Sequence, residues 1–256
     1  MSGSQQGLEL EARLLEMAAS YVEPFANAPG PSHNQGRLMG AMMNWYQYTG
    51  NPLWKGRVDR MVDGIDRGLV HEGDYAYSDY ARKGEPPGEK GDPNEGSVFN
   101  GQGHLGGVLA NWHMLTGNEE ALRVAGQLVR FYIKPKFWAD WKGGEYPGVV
   151  GAEHAHWDGH YYGHMCTLRS ILEYAIATGD SRLKLFAREG YEWARQAAFH
   201  RFGMVGANQG CGCARLIALA IKLTEAGVGD YWEDVDLYIR NHGVEMQFTP
   251  DDIPHL

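Results

Sequence analysis

Four of the chain's 11 histidines fall between His154 and His164, beside two carboxylates and a tryptophan. The stretch reads Glu153-His154-Ala155-His156-Trp157-Asp158-Gly159-His160-Tyr161-Tyr162-Gly163-His164. Such a mixture can bind a metal, run acid–base chemistry or hydrogen-bond sugar hydroxyls. A solvated polar loop whose histidines bond neighbouring backbone would carry the same residues. His154 and His156 are two apart, a spacing that points both rings one way only on a strand. Acid–base chemistry needs a protonated acid and a base or nucleophile on either side of the bond to be broken. Glu153 and Asp158 are the candidates for that pair, with Glu95 and Glu145 on the loops behind them. His154, His156, Trp157 and His160 are candidate sugar-binding side chains.

A second group is Asn208-Gln209-Gly210-Cys211-Gly212-Cys213. A helix N-terminus favours a thiolate, the form that attacks carbon and binds zinc. Cys211 stands where such a residue would be wanted, as a catalytic group or a metal ligand. Cys213 reads better as a small residue at a crowded helix start, and Cys166 as a core residue.

The elements that must position these groups are written in a repeated cassette. Thr49-Gly50-Asn51, Thr116-Gly117-Asn118 and Thr178-Gly179-Asp180 share one pattern, with a degenerate copy at Ala226-Gly227-Val228-Gly229-Asp230. Each is preceded by a helical segment that opens on its own glycine, at Gly36, Gly103, Gly163 and Gly210. Leu38, Met42, Trp45 and Tyr46 fall at helical spacing in the first, and Met165, Leu168, Leu172 and Ile176 in the third. The closing glycine ends that helix in a left-handed conformation, and the Asn or Asp beside it caps the next. The second helices run Pro52–Leu69, Glu119–Ile133, Arg182–Ala198 and Tyr231–Arg240. A further helix covers Leu8–Tyr21.

Each cassette is therefore a helical hairpin with a mostly apolar first helix and a charged second one. Such repeats mean an all-α fold in which hairpins stack. Their unequal spacing favours a closed (α/α) toroid over a regular solenoid, here an incomplete (α/α)6 barrel formed by residues 1–256 as one domain. In a toroid the residues after the opening glycines, Arg37, His104, His164 and Cys211, ring one mouth. His104, His164 and Gln209 join the candidate substrate-binding set on that ground. The connections Val70–Gly101 and Lys134–Gly159 are long enough to be functional loops. A β-hairpin near Tyr75–Tyr80 is compatible with the first.

Composition narrows the partners. A net charge of −9 argues against nucleic acid. No apolar run is long enough to span a membrane. The N-terminus lacks the basic and apolar regions of a secretion signal, and three cysteines suggest no disulfide framework, so a cytoplasmic setting is expected. Eight Trp and 14 Tyr suit a carbohydrate cleft, although most aromatics serve the core. Repeats that rely on neighbours also leave apolar edges, so a homodimer is expected to cover them.

The segment from Gly210 to Phe248 resembles glycoside hydrolase family 127, the β-L-arabinofuranosidases. Gly-Cys-Gly-Cys-Ala-Arg-Leu opens the helix, and Asp230-Tyr231-Trp232-Glu233-Asp234 and Arg240-Asn241 follow at similar places. His164-Met165-Cys166-Thr167-Leu168-Arg169 through Asp180 also looks like these barrels. The resemblance implies an (α/α)6 barrel, a carbohydrate substrate and a zinc ion held by a Glu-x-Cys segment and a later Cys-Cys pair. Cys211 matches the first cysteine. Gln209 stands where the family has glutamate and cannot supply an anionic ligand. No Cys-Cys pair occurs up to Leu256. The leading expectation is a glycoside hydrolase acting on a plant or microbial glycan. The alternatives are a non-catalytic sugar-binding or scaffold domain, and a sugar epimerase or polysaccharide lyase.

Overall fold

The computed structural model describes residues 4–22, 33–78, 103–134, 137–138, 161–200, 203–205, 210–244 and 246. The described chain is all-α apart from two short β-hairpins. It forms two compact units, Met1–Tyr132 and Ile133–Leu256.

The first unit contains α1 (Gln5–Val22), α2 (His33–Thr49), α3 (Pro52–Gly68), β1 (Val70–Glu72), β2 (Tyr75–Tyr77), α4 (Leu105–Thr116) and α5 (Glu119–Tyr132). The second contains α6 (Tyr161–Thr178), α7 (Ser181–Ala198), β3 (Phe199–His200), β4 (Met204–Val205), α8 (Gly210–Glu225) and α9 (Trp232–Tyr238). A π-helical turn, Ile239–Gly243, continues α9. The expected single helix Tyr231–Arg240 is thus shorter and then widens, where His242 is buried. The β1–β2 hairpin pairs Val70 with Tyr77. The β3–β4 hairpin carries no signal that the sequence reading used.

The four hairpins turn on one local device. Gly50, Gly117, Gly179 and Gly227 have φ of 65°, 73°, 73° and 71°. An L side chain rarely adopts that conformation. Before each glycine, a threonine hydroxyl donates to the carbonyl four residues back. The pairs are Thr49 to Trp45 at 2.7 Å, Thr116 to Trp112 at 2.7 Å and Thr178 to Tyr174 at 2.9 Å. In the degenerate copy Thr224 does this work, donating to Ala220 at 3.0 Å and accepting from the Tyr231 amide at 3.0 Å. After the glycine, Asn51, Asn118 and Asp180 accept from the amides of Leu53, Ala121 and Leu183 at 2.9–3.0 Å. Those bonds satisfy donors that the new helix leaves orphaned.

In the first unit α2 and α4 pack side by side. A Cβ at Gly36 would lie 2.9 Å from His104 Cβ and 3.2 Å from its backbone, and one at Gly40 would lie 3.7 Å from Val108. Both pairs have the same separation in sequence, so the two helices run parallel and in register. Only glycine allows Gly36 so near a backbone. The second helices carry the polar ties. Glu16 of α1 pairs with Arg57 of α3 at 2.7 Å, and Asp66 of α3 with Arg123 of α5 at 2.8 Å. Asp59 on α3 accepts from Lys55 at 2.7 Å, Trp112 Nε1 at 2.9 Å and Asn118 Nδ2 at 2.9 Å. Tyr77 and Tyr75 stack on Phe131 of α5 at 5.2 and 6.2 Å, which seats the β1–β2 hairpin.

In the second unit Gly190 lets α7 close on α6, where an added Cβ would meet Leu168 Cδ2 at 2.6 Å. Asp234 of α9 accepts from Tyr191 at 2.7 Å and Arg195 at 2.8 Å, both on α7. Tyr231 donates to Glu192 at 2.8 Å. Burial pushes the Tyr191 hydroxyl well above the ordinary tyrosine range, helped by Tyr238 and the Asp234 carboxylate. Tyr191 therefore stays a donor, and this polar clamp fixes α9 against α7.

Two outcomes follow. No heavy atom lies within 4 Å of a Cβ added at Gly117. Gly117→Ala should therefore lose about 1 kcal/mol through backbone conformation alone, and Gly117→Asn less, because Asn tolerates the left-handed region. Urea midpoints measure both, and equal losses would contradict the argument. Burial raises the Asp59 pKa, but its hydrogen bonds and the Lys55 charge outweigh that and hold it below the usual value. Its contribution is complete above the unfolded carboxylate pKa and is lost as pH falls through the lower folded one. Asp59→Ala should cost about 2 kcal/mol near neutrality, because Trp112 Nε1 loses its acceptor. The gap to wild type in urea midpoint should shrink as pH falls below about 4.

Candidate functional site

The described parts of the candidate site are the openings of the first helices. In the first unit the starts of α2 and α4 abut through Gly36 and His104. Gln35 is buried, Arg37 is exposed, and His104 is half-buried as the N-cap residue of α4. Its side chain makes no capping bond to α4. The chemistry available at this opening is a guanidinium and an imidazole.

In the second unit the starts of α6 and α8 meet. Tyr162 accepts a hydrogen bond from Arg215 at 3.3 Å, and the Arg215 guanidinium lies 5.3 Å from the Tyr162 ring centre. Tyr161 is buried near Cys213 and Tyr238, and burial is the main cause that raises its pKa. Burial also pushes the Cys213 thiol up, which suits an inert packing residue. Cys211, two residues earlier, is exposed. Cys166 is buried inside α6. The two-residue spacing on a helix thus separates one accessible thiol from one enclosed thiol.

His164 takes a different place from the expected rim position. It is fully buried. Its Nε2 lies 3.4 Å from the Phe137 carbonyl oxygen, and its ring meets the Trp138 ring edge-on at 5.1 Å. Trp138 in turn packs edge-on against Phe186 at 5.2 Å. Here the histidine anchors the Phe137–Trp138 segment to α6 and α7. Trp138 and Phe137 are the residues that sequence reasoning passed over. Their signal was the Phe-Trp pair just after α5, at the start of a connection read as a long functional loop.

Glu95, Glu145, Glu153, His154, His156, Trp157, Asp158, His160 and Gln209 lie outside the described residues. Among the described residues no three His, Cys, Asp or Glu side chains form a group that could hold a metal ion. Cys211 is the candidate zinc ligand within them, and a single thiol does not make a metal site. Among the described residues no helix is long and apolar enough to cross a membrane.

The placement of His164 gives a separable outcome. If it packs, His164→Ala should destabilise by roughly 2–4 kcal/mol, the scale for hollowing a buried aromatic site. Ligand affinity measured well below the melting temperature should then stay unchanged. A loss of affinity in a variant with wild-type melting would assign the ring to binding instead. Compared with known proteins, the chain matches no protein-family model and no curated protein.

Proposed function

We propose that this chain is a carbohydrate-active enzyme, a glycoside hydrolase acting on a plant or microbial glycan. The observation that carries the reading is the side-by-side opening of consecutive first helices, Gly36 against His104 in one unit and α6 against α8 in the other. Helices that start together gather unpaired backbone donors and the side chains of their first turns. In each unit such openings border a candidate cleft. In this reading Glu153 and Asp158 are the acid and the base or nucleophile. His104, His154, His156, Trp157, His160 and Gln209 bind the sugar. The exposed Cys211 contributes a thiol at the α8 opening. The exposed cation Arg37 and the Tyr162–Arg215 pair add donors suited to sugar hydroxyls.

The test is hydrolysis of a panel of aryl glycosides and plant and microbial oligosaccharides by the purified chain. Turnover should fall in Glu153→Gln and Asp158→Asn by about 100-fold or more, the usual scale for removing a general acid or base. Unchanged rates in both variants, or no turnover of any substrate, would overturn the reading. Metal content by mass spectrometry tests the thiol. One zinc per chain that is lost in Cys211→Ala makes Cys211 a metal ligand. No zinc in either protein leaves the carboxylate pair to act without it.

A further inference from the structure

We propose that Arg215, braced by Tyr162, binds the carboxylate of a uronic acid residue, so that the α6–α8 opening takes an acidic sugar at the end of an otherwise neutral glycan. The inference rests on the carbohydrate reading above and narrows it to one substrate class.

Arg215 lies in the second turn of α8 and is half-buried. Its Nη2 donates to the Tyr162 hydroxyl at 3.3 Å. Its guanidinium stands 5.3 Å from the Tyr162 ring centre, within cation–π range. Among the described residues its other N–H groups have no acceptor and its charge has no carboxylate partner. Other arginines of the same unit are neutralised. Arg169, Arg188 and Arg195 meet Glu173, Glu189 and Asp234 at 3.3, 2.5 and 2.8 Å. The helix does not account for the charge at Arg215 either, since a helix start favours anions over cations.

Tyr162 therefore holds a half-buried cation whose fork of donors is still to be matched. That planar fork fits a carboxylate through two parallel hydrogen bonds, an arrangement that a single hydroxyl cannot offer. Cys211, one turn earlier on the same face of α8, is exposed, so this face meets solvent. A net charge of −9 works against a polyanion lying along the surface. One carboxylate on one guanidinium is a local contact, which points to a single acidic residue and not to a polyuronate.

Titration calorimetry on the full chain tests this with oligosaccharides that end in glucuronate or galacturonate. Each is paired with the same oligosaccharide ending in glucose or galactose. Wild type should bind at least one acidic member about tenfold or more tighter than its neutral counterpart, the scale of a charge-assisted hydrogen-bonded pair. Arg215→Met keeps an unbranched stem without the charge and should remove that preference, whereas Arg215→Lys should keep part of it. Circular dichroism melting checks that each variant folds. A merely structural role for Arg215 would lower both affinities in proportion and leave the preference as in wild type, which would overturn the proposal. Equal binding of acidic and neutral members by wild type, or no binding of any acidic member, would overturn it too. Hydrolysis of the matching aryl uronides and neutral aryl glycosides separates this inference from the hydrolase reading. Turnover confined to neutral substrates would overturn the inference and keep the hydrolase. Acid-selective binding that depends on Arg215, with no turnover, would keep the inference and sink the hydrolase.

Discussion

Each of the four described helical hairpins depends on a glycine held at positive φ between its two helices. The corner is more than a break. A threonine hydroxyl closes the last turn before it, and an Asx side chain opens the first turn after it. In the first two hairpins the glycine amide bonds back four residues, Gly50 to Tyr46 and Gly117 to His113. In the last two the wider pattern appears, with Asp180 bonding to Ala175 and Val228 to Leu223. The same reversal is thus reached by two hydrogen-bond schemes that share one left-handed residue. Asn118 adds a second role. Its carboxamide oxygen caps α5 while its nitrogen donates to Asp59 of α3. The corner of one hairpin is thereby bonded to the second helix of the hairpin before it.

Close approach between helices is the second constraint, and it too is set by glycine. Gly36 and Gly190 sit where any Cβ would collide with the facing helix. The approach at Gly36 brings backbone to within van der Waals distance of His104, so the two helix starts cannot separate without losing that contact. Positions at which polar first-turn residues gather are therefore fixed by packing far more than by the polar residues themselves. His104 is carried to its neighbour by the close approach at Gly36.

The corners were legible in the sequence because a positive φ leaves a mark at a single position. Thr-Gly-Asn at residues 49–51 and 116–118 states the geometry outright, and the helix ends fell within a residue or two of Gly68, Tyr132 and Ala198. The degenerate copy was harder, because its threonine, Thr224, stands three residues before Gly227 and the local pattern hides the shared bond. What local pattern cannot show is which distant residue fills a space. His164 resembled a rim residue from its place after an opening glycine. Trp138 and Phe137, from an element before it, enclose it instead. The widened turn at Ile239–Gly243, where His242 is buried, likewise has no signature in spacing. Of the candidate site, the sequence located helix starts, and the structure adds which side chains at those starts are enclosed and which are open.

The division of polarity between first and second helices follows from these constraints. Ion pairs and hydrogen bonds that join hairpins run along the second helices, through Glu16–Arg57, Asp66–Arg123 and the Asp234 clamp. Exposed pairs of this kind stabilise little singly. Asp59 and Asp234, which each gather several donors, hold position more firmly. The first helices hold few such ties. α4 and α6 bury Leu105, Leu109, Trp112, Met165, Leu168 and Leu172 along their lengths. Polar side chains also stand at their openings, His104, Tyr162 and Cys211 among them. First helices share in the cross-linking, through Trp112 to Asp59 and Arg215 to Tyr162, so a change that removes Tyr162 at the α6 opening also loosens its joint to α8.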